Sequence, residues 1–438
     1  MKLQKLNLNY LTLIISYFFL LKLNTSLLIS ESLSINYFFL NFFKGFKLLN
    51  LIEISIISIP VLFIRNKEFN FGILFSYTLY LLLFVPFVIF FLDPNLNMIK
   101  IFFQHIDLNT SYISIEKKNF ILFTFILTIN FCILLFFTSN KKMILKKILN
   151  FDEKMFRKIL LINFLSFFCF MLFIIIKEYN QLYEINYRSK LSGLMGYFFY
   201  WNIICFLPIL FLIENKKILK YLILLSYIFA FIIFKIKVLI LFFGFLIFKD
   251  LIYYRIVKSK DLLKTLLSTL SVFLIFSFLI NFFSWFVLEL KDPIYFQRLF
   301  VAQPKNLLIY LDFFTNNETT MLSHIGLISK FTQNNLNIFD LLRNFYKGGS
   351  PTSNLYAVEG IASFGIWGIF FSTFLLVSLA KILTYLIAEE EEKYLYLSIF
   401  FQSVYIINTP FFTNLITYGI VIIILLTLIR FKKKNENF

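Results

Sequence analysis

Long apolar runs alternate with short charged connectors over most of this chain. A membrane-crossing helix needs about 20 consecutive, mostly apolar residues. That window predicts twelve spans, at 8–24, 48–64, 71–92, 119–138, 159–177, 195–213, 218–234, 236–253, 265–288, 361–387, 394–410 and 411–430. The weakest divisions fall at Lys235 and Lys237, and at Pro410 after Asn408 and Thr409. The run 33–43 is apolar but too short to cross, which fits an interfacial or re-entrant piece. One long segment breaks the pattern. Residues 290–360 gather Asn, Asp, Thr, Gln, Arg, Lys and one of the two histidines of the chain. The predicted fold is an all-α polytopic membrane protein of about twelve transmembrane helices, one integral domain over 1–438, with a large loop at 289–360.

Lys and Arg bias assigns the sides. Lys2 and Lys5, Arg65 and Lys67, the cluster from Lys141 to Lys158, Lys216 and Lys217, Arg255 to Lys264, and the tail from Arg430 to Lys434 all fall on one side of the predicted topology. Positive loops stay in the cytoplasm, so both termini are expected there. The acidic run 389–392 lands on the same side, but acidic residues weigh little in this rule. Trp201, Trp285 and Trp367 fall near predicted outer ends of spans, where Trp prefers the interface. The loop 289–360 and the shorter loop 178–196 are therefore expected to be extracytoplasmic. Within the larger loop, Pro304 and the following Leu, Tyr and Phe positions predict a short helix lying on the membrane surface. Ile338, Phe339, Leu342, Phe345 and Tyr346 mark one face of a second helix, with Asn337 as its cap.

Composition agrees. The chain of 438 residues is 60% hydrophobic and 15% charged, against about 25% charged in a soluble domain. The 64 Phe residues accompany abundant Ile, Leu, Asn and Lys, all encoded by A/T-rich codons, so they carry little functional weight. A net charge of +18 would point to nucleic acid only if clustered on a soluble face, and here it sits in short connectors. Cys132, Cys169 and Cys205 lie within apolar runs without metal or redox spacing. No phosphate-binding Gly-rich loop, zinc motif or nucleophile elbow occurs, and no metal or cofactor is expected. The first apolar run lacks a small-residue cleavage site, so it reads as a span rather than a signal peptide.

The outer segments hold the candidate chemistry. Arg188 and Arg298 lie near outer interfaces, where a guanidinium fork grips phosphate bidentately or pairs with a neighbouring carboxylate. His324, in MLSHIGL, is either a general acid–base group or a structural histidine. Asp312, Glu318 and Glu359 are outer carboxylates able to act as a base, and no spacing singles one out. Glu53 near an outer span end is either functional, because charge in lipid is expensive, or simply solvated at the interface.

The run YFQRLFVAQPKNLLIYLDFFTNNETTMLSHIGL resembles the large outer loop of the Wzy-type oligosaccharide repeat-unit polymerases of O-antigen and capsule assembly. The run SPTSNLYAVEGIASFGIWGIFFSTFLL is similar to that family's return into the next span, with Ala362, Phe364, Gly365 and Gly368 in its entry pattern. The likeness covers roughly a fifth of the chain, over 295–381; elsewhere only the topology and the loop around Tyr187 and Arg188 agree. The stretch TSNLYAVEG departs from the family's more Asn- and Gly-rich form, which leaves the role of Glu359 open.

The resemblance implies a glycosyltransferase in the bacterial cytoplasmic membrane. Its substrate would be an oligosaccharide on undecaprenyl diphosphate, passed to a sugar hydroxyl on a fresh lipid-linked repeat. It implies catalytic roles for Arg298, His324 and Arg188. Arg188, Arg298, Tyr310, Asp312 and Asn354 become substrate contacts. The implied partners are membrane lipid, a chain-length regulator and a flippase of the same pathway, with no nucleic acid. Two alternatives stay open: an O-antigen ligase, which uses the same donor, and a lipid-linked oligosaccharide flippase. Transporters often show repeated halves, and no sequence repeat is visible here.

Overall fold

The computed structural model describes residues 8–29, 48–64, 69–91, 117–138, 149–177, 193–236, 238–286, 300–325, 337–346, 353–386, 389–427 and 429–432. These are helical except for turns and one parallel strand pair, Leu149–Asp152 (β1) beside Ile429–Lys432 (β2), with Leu149 opposite Ile429. The helices are α1 Leu8–Ile29, α2 Leu48–Val61, α3 71–91, α4 Lys117–Thr138, α5 Glu153–Lys177, α6 Gly193–Ile213, α7 Lys217–Phe234, α8 Val238–Ile247, α9 249–257 and α10 Leu262–Phe286. They continue with α11 Ala302–Asn316, α12 Ile338–Phe345, α13 356–364, α14 Gly368–Leu386, α15 Glu389–Asn408, α16 Phe411–Ile416 and α17 Ile420–Thr427.

Among the described residues, seven helical stretches are long and apolar enough to cross a membrane. They coincide with the predicted spans at 71–92, 119–138, 159–177, 195–213, 218–234, 265–288 and 361–387. The other five predicted spans are helical but shorter, more polar or broken. The first and second carry the apolar stretches Tyr10–Asn24 and Leu51–Val61. Lys235 adopts a left-handed backbone (φ 51°) that closes α7, and α8 then runs for only 10 residues. α15 starts inside the acidic run at Glu389. The last predicted span breaks between α16 and α17, where Gly419 takes φ 84°. The predicted piece 33–43 lies outside the described residues.

Where one integral domain is expected from sequence, internal contacts divide the chain into two compact units. The first unit draws on 1–141, 260–380 and 406–410. Its centre is α3, which packs against α1, α2, α4 and α11. α3 is apolar on every face and buried along almost all of its length, as such a helix must be. Asn70 caps its start by accepting from the Ile73 N–H at 3.0 Å. Midway the helix widens into a π-turn at Tyr80–Phe84. Pro86 lies just beyond this turn and has no N–H for the carbonyl of Leu82. Loosened carbonyls are reused here: the Tyr17 hydroxyl donates to Leu81 O at 2.7 Å. α1 pairs along its length with α10, and the Tyr10 hydroxyl donates to Asp261.

Glu53 is buried rather than solvated at an interface. Its carboxylate is fully buried on α2 and pairs with Lys22 of α1 at 2.8 Å. Removing one partner of a buried pair strands the other charge, at a cost of about 3–5 kcal/mol. Lys22→Ala is expected to lower the unfolding midpoint sharply. The double variant Lys22→Met/Glu53→Leu should recover much of that loss. A double variant no more stable than the single would remove the ion-pair explanation.

The second unit draws on 142–259, 381–405 and 411–438. α5, α6 and α7 pack together, and α7 turns back against α8. α6 repeats the device of α3. A π-turn at Asn202–Phe206 lies just before Pro208, and the Tyr227 hydroxyl donates to the Ile203 carbonyl inside it. Arg157 closes one end of this unit with a fork onto Glu214, at 3.1 and 2.6 Å. Glu214 also accepts the N–H groups of Asn215 and Lys216. These bonds hold its carboxyl below its ordinary range against the opposing effect of burial.

Candidate functional site

The site is built on a helical hairpin in the first unit. By length and hydropathy alone, 356–386 would be one continuous crossing. The geometry divides it. In a straight helix Gly360 and Gly368 would stand about 12 Å apart, and Leu355 and Ser372 about 25 Å. Instead the Ser372 hydroxyl donates to Leu355 O at 3.0 Å. A Cβ on Gly368 would overlap the Gly360 carbonyl oxygen. The chain therefore runs in along α13, reverses over 365–367, and leaves along α14. Gly365 makes the reversal at φ 64° and ψ −153°, a region open essentially to glycine alone. Trp367 stands at the bend with 65% of its surface exposed. The predicted span at 361–387 is corrected accordingly: its helical crossing begins near Gly368, because the glycines let two backbones touch.

α13 is buried from Tyr356 to Ser363. Asn354, also fully buried, caps it by accepting from the N–H groups of Tyr356 at 3.0 Å and Ala357 at 3.4 Å. The residue assigned from the resemblance to substrate thus has a structural task through its oxygen. Its Nδ2 has no hydrogen-bond partner among the described residues.

The turn carrying His324 docks onto the C-terminal end of α13. The backbone N–H groups of Thr320 and Met321 donate to the carbonyls of Ala362 and Ser363, at 2.8 and 3.1 Å. Met321 and Leu322 both take left-handed conformations, φ 45° and 67°. Each such residue costs on the order of 1–3 kcal/mol, so the docking bonds hold the turn in a strained shape. The Thr320 hydroxyl donates to Ala362 O at 3.0 Å and lies 2.7 Å from His324 Nδ1. The donor and acceptor roles in the Thr320–Nδ1 contact depend on the ring tautomer. Nε2 is buried and has no hydrogen-bond partner among the described residues. Burial pushes the His324 pKa down to about 4, partly opposed by the Val358 carbonyl, so the ring is neutral at physiological pH.

The predicted interfacial helix around Pro304 is α11, and it is buried on all sides rather than lying on a surface. It contacts both α3 and α13. One stripe faces the hairpin. Gln303 accepts from Ser353 at 3.3 Å. Tyr310 is fully buried, and its hydroxyl is pushed up first by burial and then by the charge of Glu359. The other stripe holds Asp312, which accepts from the Tyr346 hydroxyl of α12 at 2.6 Å. Burial, followed by this bond, pushes the Tyr346 hydroxyl upward. Lys305 shares that stripe at a two-turn offset, and burial lowers its pKa to about 8. α12 matches its predicted extent, and Asn337 caps it by accepting from Phe339 N.

The hairpin therefore brings His324, Glu359 and Tyr310 to one short helix, while Asp312 serves the α11–α12 contact. Arg188 and Arg298 lie outside the described residues. Thr320 and Ser363 were not singled out from sequence. Thr320 stands four residues before His324, a local signal; Ser363 is placed only by the hairpin. No group of three His, Cys, Asp or Glu suited to a metal occurs among the described residues. The arrangement sets His324 Nε2, buried and without a hydrogen-bond partner among the described residues, beside a hairpin that carries the buried Glu359.

No protein-family model, curated protein or solved structure matches the chain. The class that fold and site define is a helical membrane protein with a buried histidine at a broken helix.

Proposed function

We propose that this protein polymerises oligosaccharide repeat units carried on undecaprenyl diphosphate, at the outer face of the bacterial cytoplasmic membrane. In this reading the chain crosses the membrane twelve times with both termini in the cytoplasm. The observation that carries the reading is His324: a neutral imidazole with Nδ1 tied to Thr320 and Nε2 left open. An open, oriented Nε2 suits taking the proton of an attacking hydroxyl.

The acceptor sugar oxygen forms a bond to the anomeric carbon of the donor, while the bond from that carbon to the diphosphate oxygen breaks. The electron pair leaves with the lipid diphosphate, and the hydroxyl proton passes to Nε2. Arg188 and Arg298 are assigned by sequence resemblance to the departing diphosphate, whose developing charge needs cations. Tyr310 of α11 and Glu359 of α13 are assigned in this reading to substrate contact.

Purified protein in lipid nanodiscs, supplied only with lipid-diphosphate-linked repeats, is expected to yield a ladder of products and free lipid diphosphate. Transfer only to a lipid A core acceptor would make the protein a ligase. Translocation of the lipid across vesicles without bond formation would make it a flippase.

A further inference from the structure

We infer that the end of the second unit where α7 begins is a seat for the headgroup of an anionic phospholipid, held by Lys217, Lys220 and Lys249. The seat uses neither His324 nor the loop 289–360, so it stands apart from the polymerase reading. Several contacts tie this end together. Arg157 of α5 forks onto Glu214, the residue that closes α6. Lys216 then caps α7 and Lys217 opens it. Lys220, half-buried one turn on, sets its ammonium 5.5 Å from the centre of the Phe211 ring of α6. Lys249, which opens α9, lies close enough to repel Lys220, while Asp250 and Glu214 attract it.

The charges at this end do not balance. Arg157, Lys216, Lys217, Lys220 and Lys249 stand against Glu214 and Asp250. Glu214 is already taken up by Arg157 and by the N–H groups of Asn215 and Lys216. Asp250 pairs with Lys249 at 2.6 Å but is largely exposed, where water weakens such a pair. The helix itself adds to the excess. A helix N-terminus carries a partial positive charge that favours anions and disfavours cations. Yet α7, 18 residues long, has lysines at its cap and at two places in its first turn, and the cap side chain accepts no hydrogen bond. Free N–H groups, a positive helix end and converging ammonium groups make a place for a phosphate.

The surroundings say which phosphate. Ile218 and Tyr221 of α7 are exposed, as are Phe248 and Leu251 on either side of Lys249. α7 is one of the membrane-length helices, so its exposed apolar residues meet acyl chains. A free phosphate would use the lysines and leave the apolar side chains bare. A phospholipid of net negative charge uses both, its headgroup on the ammonium groups and its chains on the apolar surface. A zwitterionic lipid brings its own cation, which the excess lysines repel. The Lys and Arg bias assigns this end to the cytoplasmic leaflet.

The test uses the full-length protein in detergent micelles, with bound lipid counted by native mass spectrometry. The probes are phosphatidylglycerol, phosphatidylcholine of the same chains, and inorganic phosphate. Phosphatidylglycerol is expected to bind saturably and about 100-fold more tightly than phosphatidylcholine, since each lysine beside an anionic headgroup contributes about fivefold. Lys220→Gln/Lys249→Gln should weaken phosphatidylglycerol binding about 25-fold and leave phosphatidylcholine binding unchanged. Lys260→Gln/Lys264→Gln removes the same charge from the first unit and should change neither. Should the Lys220/Lys249 variant fail to fold, Lys217→Gln decides, with a loss of about fivefold expected. Equal binding of the two lipids, or wild-type preference in the deciding variant, overturns the seat. An equal loss in the Lys260/Lys264 control also overturns it, because net charge alone would then explain the preference. Inorganic phosphate binding as tightly as phosphatidylglycerol would make this a free-anion site and overturn the lipid.

Discussion

Replacing His324 by alanine is expected to lower the rate of repeat-unit transfer about 100-fold while leaving the protein folded. General-base assistance ranges over about 10²–10⁴-fold, and it grows with the strength of the base. Burial has pushed His324 down to about 4, so it is a weak base, and the lower end of the range applies. In the proposed reaction the remaining acceleration would fall to the diphosphate leaving group and to orientation. The same shift sets the pH behaviour. Because the ring stays neutral until the pH approaches 4, the acid limb of the rate profile should lie near 4 rather than near the ordinary histidine value of about 6.5. Stability follows the same sign. Between pH 6.5 and 4 the unfolded chain takes up a proton at this site that the folded chain refuses, so the melting temperature should fall as the pH drops through that window. An acid limb near 6.5, or a His324→Ala variant with wild-type rate, would rule out the open Nε2 as the proton acceptor.

The second large effect concerns the hairpin itself. Gly368→Ala is expected to prevent accumulation of folded protein. Its Cβ would overlap the Gly360 carbonyl oxygen, which is backbone and cannot rotate away. Overpacking in a filled core costs about 1–3 kcal/mol and sometimes more; a clash between two backbones with no side chain to yield belongs above that range. Gly244→Ala is the control. That glycine lies on α8 with no atom within 4 Å of an added Cβ. There alanine should be neutral or stabilise by about 0.5–1 kcal/mol through helix propensity. If both variants purify in equal yield with equal melting temperatures, the two arms of the hairpin do not cross at these glycines.

The helical hairpin also explains why the candidate site was only partly legible. The polar character of 290–360 and the isolation of His324 were visible, because charge and amide groups cannot hide in a lipid-facing pattern. Helix α12 and its Asn337 cap were visible for the same local reason: a 3.6-residue period and a cap are read within one turn. The helix at Pro304 was found but misplaced. Its apolar and polar positions look like a surface helix, yet Gln303, Lys305 and Asp312 are all buried. Gln303 and Asp312 are met by the distant Ser353 and Tyr346, which no local window contains.

By itself the sequence determined the helical class and seven of the membrane-length helices, because hydrophobic length and periodicity are local quantities. Two of the π-turns lie just before Pro86 and Pro208, each of which removes one N–H from its helix, while those at Tyr253–Val257 and Tyr356–Ile361 have no proline beside them. Only the tertiary structure decided that Glu53 answers Lys22, that Gly360 meets Gly368, and that Thr320 turns His324 against Ala362. Each of these is a contact between groups whose partner lies on another turn or another helix. The free energy of a buried charge, a backbone crossing or a tautomer is set by the partner, and the order of residues along the chain does not name it.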